Sequence, residues 1–230
     1  MTLTSLHDIF RFHDGKVADK WSLYLDEYAR LFEHLRAAPI RLLEIGVQNG
    51  GSLEVWAKYF DQAVSIVGCD IDPACATLRF SDPRIHVVIG DAGTPAVAQA
   101  LSALGTSFDI VIDDGSHKSG DIIRSFARYF GRVSPGGMYI AEDLHCSYRK
   151  KFEGGLFEPT SSMAFFKQLA DVLSHEHWGR GMARKEWLQE FSLVHGIDLD
   201  EEVLAQVHSV EFLNSMCIVR KELTGTALLG

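Results

Sequence analysis

The stretch RLLEIGVQNGGSLEVWAKYF, residues 41–60, places a strand-like apolar run, a glycine turn and a helix-like segment in direct succession. The apolar run is rich in Leu, Ile and Val without strict alternation, which is typical of a strand covered on both faces. Gly46 and Gly50 then allow a tight turn and a close approach of the backbone to a ligand. The stretch therefore predicts a βα unit, the building block of a parallel sheet.

Similar units follow along the chain. Four more buried strands are predicted by the runs SIVGCDI (from Ser65), RIHVVIGD (from Arg84), FDIVIDD (from Phe108) and GMYIAED (from Gly137). Helix-like segments such as TPAVAQALSALG and GDIIRSFARYFGRV separate them, and SPGG is expected to end the latter helix. Near the C-terminus, SVEFLN and SMCIVRK follow each other directly and predict an antiparallel hairpin. We expect an α/β fold, a doubly wound, mostly parallel, seven-stranded Rossmann-like sheet with a C-terminal antiparallel hairpin.

Length and composition predict one globular domain. The chain has 230 residues, 47% hydrophobic and 23% charged, which suits a single domain over 1–230. Within it we expect an N-terminal helical segment, 1–38, with helical spacing from Asp19 to Arg36. A second segment, about 148–206, is mostly helical and polar. It is too long for a simple connection, so we expect an insertion over the active face.

Charge and hydropathy narrow the class of partner. The formal net charge of −9 argues against nucleic acid. No apolar run approaches the roughly 20 residues of a membrane span, which predicts no membrane partner. The N-terminus lacks the features of a signal peptide, and four scattered cysteines suit reduced thiols. We therefore expect a cytoplasmic protein.

Acidic residues follow each predicted parallel strand. Ligands of open parallel sheets bind at the carboxyl ends of the strands, so these acids should converge on one edge. The stretch EIGVQNGGS is neither Gly-x-Gly-x-x-Gly nor a phosphate loop, so a dinucleotide or a triphosphate is less favoured. Asp70 could accept both hydroxyls of a ribose, and Asp91 in GDA lies where an adenine edge could be read. The alternative is that these are ordinary turn residues that close βα units.

The Glu-x-Gly-x-x-x-Gly stretch, Asp70, GDA and the terminal hairpin, in this order, resemble the class I S-adenosylmethionine-dependent methyltransferases. The resemblance implies S-adenosylmethionine as cofactor. It implies that Gly46, Gly50 and Ser52 hold the methionine end, Asp70 the ribose and Asp91 the adenine. The full set of cofactor-binding residues expected on this basis is Glu44, Gly46, Gly50, Ser52, Asp70, Asp91 and Asp113.

A second acidic group follows the next two strands. Asp114, Glu142 and Asp143 should meet at adjacent strand ends, where three carboxylates would suit Mg²⁺, or Mn²⁺ or Ca²⁺. The alternative is a carboxylate cluster exposed at a solvated loop edge. His117 follows a glycine turn beside Asp114. It could act as a base, or it could only cap a helix that starts near Ser119.

The motifs FDIVIDDGSH, PGGMYIAED and SYRKKFEGG, with DKW near the N-terminus, resemble the metal-dependent O-methyltransferases. The sugar-modifying type of macrolide pathways is the closer resemblance. It implies Asp114, Glu142 and Asp143 as metal ligands and His117 as the base beside the substrate hydroxyl. Arg149 departs from the pattern, which usually has an aromatic residue there.

The resemblance implies a divalent-metal-assisted O-methyltransferase. Its acceptor would be a small molecule, a hydroxyl of a sugar or a glycosylated natural product, and self-association into a homo-oligomer is compatible with it. Two alternatives stay open: a protein like those of cephalosporin hydroxylation, or a non-catalytic module that binds the cofactor.

Overall fold

Seven strands and nine α-helices lie in residues 4–223, the part of the chain that the computed structural model describes. Residues 1–3 and 224–230, which the predicted domain 1–230 includes, lie outside the described residues. The strands are β1 (Arg41–Ile45), β2 (Ser65–Asp70), β3 (Ile85–Ile89), β4 (Phe108–Asp113), β5 (Val133–Ala141), β6 (Val207–Leu213) and β7 (Met216–Lys221). The helices are α1 (Leu6–Arg11), α2 (Ser22–Phe32), α3 (Gly51–Tyr59), α4 (Pro95–Leu104), α5 (Ser119–Tyr129), α6 (Ser162–Val172), α7 (Arg184–Trp187), α8 (Gln189–His195) and α9 (Glu201–Leu204).

The strands form a seven-stranded sheet in the order β3-β2-β1-β4-β5-β7-β6. Strand β2 runs parallel to β1 and to β3, and β4 runs parallel to β5. Strand β7 is antiparallel to β5 and to β6. The predicted α/β class, the mostly parallel seven-stranded sheet and the C-terminal hairpin are confirmed.

The chain divides into two compact units, Met1–Thr106 and Ser107–Gly230. In the first unit, an aromatic cluster joins α2 to α3. The ring of Trp56 lies 5.2 Å from that of Tyr28 and 5.7 Å from that of Phe32. All three side chains are fully buried, and each aromatic side chain of this kind stabilises the fold by about 2 kcal/mol or more. This burial explains why α2 packs against α3. Within the predicted helical segment 1–38, α-helix is present at Leu6–Arg11 and Ser22–Phe32, so α2 begins later than the predicted Asp19.

Helix α4 shows how local sequence sets the ends of an element in the first unit. Thr94 Oγ1 accepts a hydrogen bond from the backbone N–H of Val97 at 3.4 Å, and Pro95 occupies the first helical position. Both features favour a helix start, because the first turn has N–H groups without a partner inside the helix. Gly105 follows the last residue, so the predicted helix TPAVAQALSALG is confirmed.

In the second unit, Phe126 of α5 is the centre of the core. Its ring lies 4.8 Å from that of Phe130, 5.3 Å from Tyr139 and 5.3 Å from Phe165. Helices α6 to α9 lie in the predicted insertion, about 148–206. Its placement over the active face and the single-domain organisation stay predictions.

Strand β5 begins at Val133, earlier than the predicted start at Gly137, so SPGG lies inside the strand. Gly136 has φ 77°, a conformation that side chains disfavour, and a Cβ at Gly137 would lie 2.6 Å from the carbonyl oxygen of Asp109. The two glycines let the strand bend without ending, and the register against β4 shifts there.

Within residues 4–223, no helix combines the length and the apolar character that crossing a membrane requires.

Candidate active site

The turn between β1 and α3 lies in the first unit and carries three residues of positive φ. These are Gly46 at 96°, Gln48 at 52° and Gly50 at 83°. The backbone N–H of Gly50 donates to the carbonyl oxygen of Val47 at 2.8 Å. A left-handed conformation at Gln48 is uncommon for a residue with a side chain, so contacts outside the turn must hold it.

Asp70, at the end of β2, supplies those contacts. Its Oδ2 accepts hydrogen bonds from the N–H groups of Val47 (2.7 Å) and Gln48 (2.9 Å), and its Oδ1 accepts from Asp72 N–H at 2.9 Å. Burial acts to raise the pKa of Asp70, but the bonds from Asp72, Val47 and Gln48 outweigh it and hold the pKa below its ordinary value. The carboxylate is therefore ionised, and it joins the end of β2 to the turn.

Ile71 is a residue that sequence reasoning missed. It directly follows Asp70, and its side chain is 70% exposed. An apolar residue immediately after a strand-ending acid is the sequence signal that could have found it.

Glu44 and Ser52 lie at opposite ends of the same turn and contact each other. Ser52 Oγ donates to Glu44 Oε2 at 2.7 Å. Lys20 Nζ lies 3.4 Å from Glu44 Oε1, and both side chains are almost completely buried, at 2% and 1% exposure. Lys20 was also missed as a site residue, although it belongs to the DKW motif.

Asp91 begins the turn from β3 to α4 and is exposed. Its Oδ1 accepts from Gly93 N–H at 2.7 Å, and its carbonyl oxygen accepts from Thr94 N–H at 3.0 Å. These are the contacts of a residue that closes a βα unit. A role in reading adenine stays a prediction.

Asp113 ends β4 in the second unit and is 4% exposed. Tyr139 Oη donates to its Oδ2 at 2.7 Å, and Gly115 N–H donates to its Oδ1 at 3.4 Å. Burial raises the pKa of Asp113 to about 6, although the bond from Tyr139 opposes this shift. Within the second unit the carboxylate of Asp113 contacts the buried side chain of Tyr139. Its contact with the cofactor stays a prediction.

Asp114, His117 and Asp143 come together in the second unit. One ligand atom from each lies within 4.8 Å of the others. His117 Nε2 is 3.5 Å from Asp143 Oδ2. His117 and Asp143 both have positive φ, at 57° and 54°. Two carboxylates and an imidazole thus converge where the chain leaves β4 and β5.

Glu142, predicted as a third carboxylate ligand, does not belong to this group. Its side chain is 1% exposed, and its N–H donates to the carbonyl oxygen of Asp113 at 2.9 Å. His145 lies on the other side of Asp143, with Nδ1 3.8 Å from Asp143 Oδ1 and 2.6 Å from Ser215 Oγ. Glu142 as a ligand stays a prediction.

Helix α5 starts without help from His117. Lys118 is at the N-cap position, and no side chain caps the helix. The interpretation of His117 as a mere helix cap is therefore wrong, because its imidazole faces Asp143 instead. Its ring also lies 6.4 Å from that of Phe152.

The donor atoms fit a divalent ion. Asp114 and Asp143 offer the carboxylate oxygens that Mg²⁺ prefers, and such ions usually keep several water or substrate ligands. The imidazole of His117 is a softer donor, better suited to proton transfer beside Mg²⁺ than to binding it. In the first unit, the turn with Gly46 and Gly50 lies beside the ionised Asp70, and an acid at the end of a strand can accept the hydroxyls of a ribose.

Comparison with known proteins agrees with these features. Residues 43–144 match a family model described as "Methyltransferase domain". The chain is 36% identical over 171 residues to 8-demethyl-8-alpha-L-rhamnosyl tetracenomycin-C 2'-O-methyltransferase of Streptomyces olivaceus, covering 70% of this chain and 44% of the relative. It is 36% identical over 164 residues to demethylmacrocin O-methyltransferase of Streptomyces fradiae, covering 66% of this chain and 40% of the relative. The chain thus spans less than half the length of these curated relatives.

A solved structure has a similar fold. The MycE methyltransferase from the mycinamycin biosynthetic pathway, in complex with Mg, SAH and mycinamycin VI, superposes with a TM-score of 0.76 at 24% identity. The match covers 98% of this chain and 57% of that chain.

Proposed function

From its similarity to a methyltransferase domain over residues 43–144 and to sugar O-methyltransferases of antibiotic biosynthesis, we propose that the chain carries a methyltransferase domain and methylates a sugar hydroxyl. The methyl donor is S-adenosylmethionine, and a divalent metal ion, Mg²⁺ in the first instance, assists. The observation that carries the proposal is the convergence of Asp114, His117 and Asp143.

The first unit would hold the donor. In this proposal Gly46, Gly50 and Ser52 receive the methionine end and Asp70 receives the ribose. Asp70 already accepts three backbone N–H groups, and an ionised carboxylate has about four acceptor positions. The side chain of Cys75 is a further hydrogen-bonding partner of Asp70, so a ribose hydroxyl would share an acceptor oxygen with the groups already bound there. The exposed Ile71 supplies an apolar surface for the base.

The second unit would hold the metal and the acceptor. Asp114 and Asp143 are the ligands best supported by the geometry, with Glu142 as the further predicted ligand. When bound, the ion lowers the pKa of the acceptor hydroxyl and orients it, and the donor supplies an electrophilic methyl group.

His117 would then act as the general base. Its Nε2 accepts the hydroxyl proton as the new oxygen–carbon bond forms and the carbon–sulfur bond breaks. Asp143, 3.5 Å away, stabilises the positive charge that the imidazole gains. The remaining contribution of the protein is alignment of the reacting atoms.

The acceptor is proposed from the relatives' names. The tetracenomycin and macrocin enzymes are named for glycosylated natural products, so a deoxysugar attached to a polyketide is the first acceptor class to test. A cytoplasmic location is part of the proposal, because the four cysteines, all in the described part of the chain, form no disulfide. A homo-oligomer is compatible with the proposal.

The test uses the full chain, labelled S-adenosylmethionine and a panel of rhamnosylated or macrolide acceptors, with and without Mg²⁺. We expect one methyl group per acceptor, with the label on a sugar oxygen, and loss of turnover when the ion is chelated. Donor binding without transfer to any acceptor would favour the non-catalytic module. Hydroxylated products without label would favour the cephalosporin-type alternative.

A further inference from the structure

A strap of chain, residues 13–20, precedes the family match and packs against the beginning of α3. Lys16 contacts Glu54 twice, with its backbone N–H 2.8 Å from Oε2 and its Nζ 2.7 Å from Oε1. A Cβ at Gly51 would lie 2.1 Å from the carbonyl oxygen of Val17, so the strap and helix backbones touch. The strap is thereby fixed against the helix that follows the candidate donor turn.

Lys20 ends the strap with a buried ammonium group. Its side chain is 2% exposed, its Nζ lies 3.4 Å from Glu44 Oε1, and Glu44 is 1% exposed. The second oxygen of Glu44 accepts the 2.7 Å bond from Ser52 Oγ. A buried carboxylate is costly without a cation, and the ammonium group of Lys20 supplies one beside Glu44.

Glu44 and Ser52 bracket the turn that carries Gly46 and Gly50. Glu44 lies in β1, ahead of the turn, and Ser52 is the second residue of α3, after it. One carboxylate therefore joins the two ends of a turn in which Gly46 and Gly50 restrict the backbone little. Because both ends of the turn are held, the turn has fewer conformations available before a ligand binds. Less conformational entropy is then lost on binding.

We propose that Lys20 is a positioning residue for the methyl donor: acting through Glu44 and Ser52, it holds the β1–α3 turn in the conformation that binds the donor's methionine end. The inference rests on the proposed function and extends the donor site to a residue outside the matched segment 43–144. Lys20 influences donor affinity without needing to touch the donor.

The test compares wild type with Lys20→Met, Glu44→Gln and the double variant Lys20→Met/Glu44→Gln. Dissociation constants for S-adenosylmethionine come from calorimetry, and backbone hydrogen exchange of residues 46–52 is measured without donor. We expect Lys20→Met to weaken donor binding by about tenfold or more. Exchange in 46–52 should accelerate, and turnover at saturating donor should stay within about threefold of wild type.

The double variant shows whether Lys20 affects donor binding through Glu44 or by contacting the donor itself. The neutral amide that Glu44→Gln introduces can still accept from Ser52 Oγ and needs no buried cation, so the double variant should regain most of the donor affinity. If Lys20 instead contacts the donor directly, the double variant will bind as weakly as Lys20→Met, and that result overturns the proposal. Lys20→Arg keeps a cation and serves as the conservative rescue if Lys20→Met folds poorly.

Lys58→Met is the matched control. Lys58 lies on α3 and also contacts the strap, with Nζ 3.2 Å from Asp14 Oδ1, but its side chain is 47% exposed. Donor affinity should not change in this variant. Unchanged affinity and unchanged exchange in Lys20→Met would refute the positioning role. A wild-type protein that binds no donor would instead refute the proposed function, and the exchange measurement would still report whether Lys20 orders the turn.

Discussion

His117 Nε2 lies 3.5 Å from Asp143 Oδ2, although the two residues follow different strands, β4 and β5. Both residues have positive φ, a conformation that is uncommon outside glycine and tends to occur where a site demands it. The contact places a carboxylate beside the imidazole that is proposed to gain a proton. If these acids only formed a solvent-exposed loop edge, neither the positive φ of His117 and Asp143 nor the contact between them would be needed.

His117→Ala should reduce kcat by about 10²- to 10⁴-fold, because general-base catalysis typically contributes that factor. The donor dissociation constant should stay within about twofold, since His117 is not one of the residues predicted to bind the donor. The two quantities are measured by labelled methyl transfer and by calorimetry on the same preparation.

The matched control is His177→Ala. His177 belongs to the same unit, but its side chain is 79% exposed and its ion contact is with the neighbouring Glu176. Full activity is expected. Should His117→Ala retain wild-type turnover, His117 would not be the base.

The sequence was sufficient to predict the sheet, and it singled out Asp114, His117 and Asp143, whose ligand atoms the structure brings together. Continuous Val/Ile/Leu runs that end in acidic residues predict parallel strands. The structure has a strand, β1 to β5, at each of the five predicted runs. The start of β5 was missed because Gly136 and Gly137 are ordinary stop signals in sequence. In the structure the backbone of Asp109 lies so close to Gly137 that a side chain would not fit there, a contact that the local sequence does not reveal.

The side-chain partners in the site could not be predicted, since they depend on residues distant in sequence. Nothing in the EIGVQNGGS motif indicates that Glu44 pairs with Lys20, which lies in the strap before α2. The same limit applies to Asp113, which the pattern groups with Asp114. The structure joins Asp113 to Tyr139 across the β4–β5 pair.

Asp143→Asn and Asp114→Asn should each weaken Mg²⁺ binding by about tenfold or more, because each removes a charged oxygen from a small donor set. Calorimetric titration of Mg²⁺ into the donor-saturated protein measures this effect. Asp198→Asn, at an exposed position before α9, is the control and should bind Mg²⁺ as wild type does. Wild-type Mg²⁺ affinity in both site variants would mean that the ion binds elsewhere.

Asp70→Asn should destabilise the protein in a pH-dependent way. Because the folded-state pKa of Asp70 lies below the unfolded value of about 4, its stabilisation is present above that pH. It is lost as the pH falls through the folded-state pKa. An amide cannot accept at both of its terminal atoms, so about 1 kcal/mol should be lost at pH 7, a modest figure because Asp70 is partly exposed.

The measurement for Asp70 is urea unfolding of wild type and Asp70→Asn from pH 7 to pH 3. The difference in unfolding free energy should shrink below about pH 4. A difference that is constant across this range would contradict the account of Asp70 as a carboxylate held ionised by backbone N–H groups.

Gly51→Ala tests the contact between the strap and α3. The added Cβ would lie 2.1 Å from the carbonyl oxygen of Val17, a backbone atom that cannot move without displacing the strap. We expect a loss of about 1–3 kcal/mol in the free energy of unfolding, together with weaker donor binding, since Lys20 is carried by the same strap. Gly181→Ala, where an added Cβ meets nothing within 4 Å, should be close to neutral in both assays. If Gly51→Ala loses stability but keeps the donor affinity of wild type, the strap stabilises the fold without organising the donor turn.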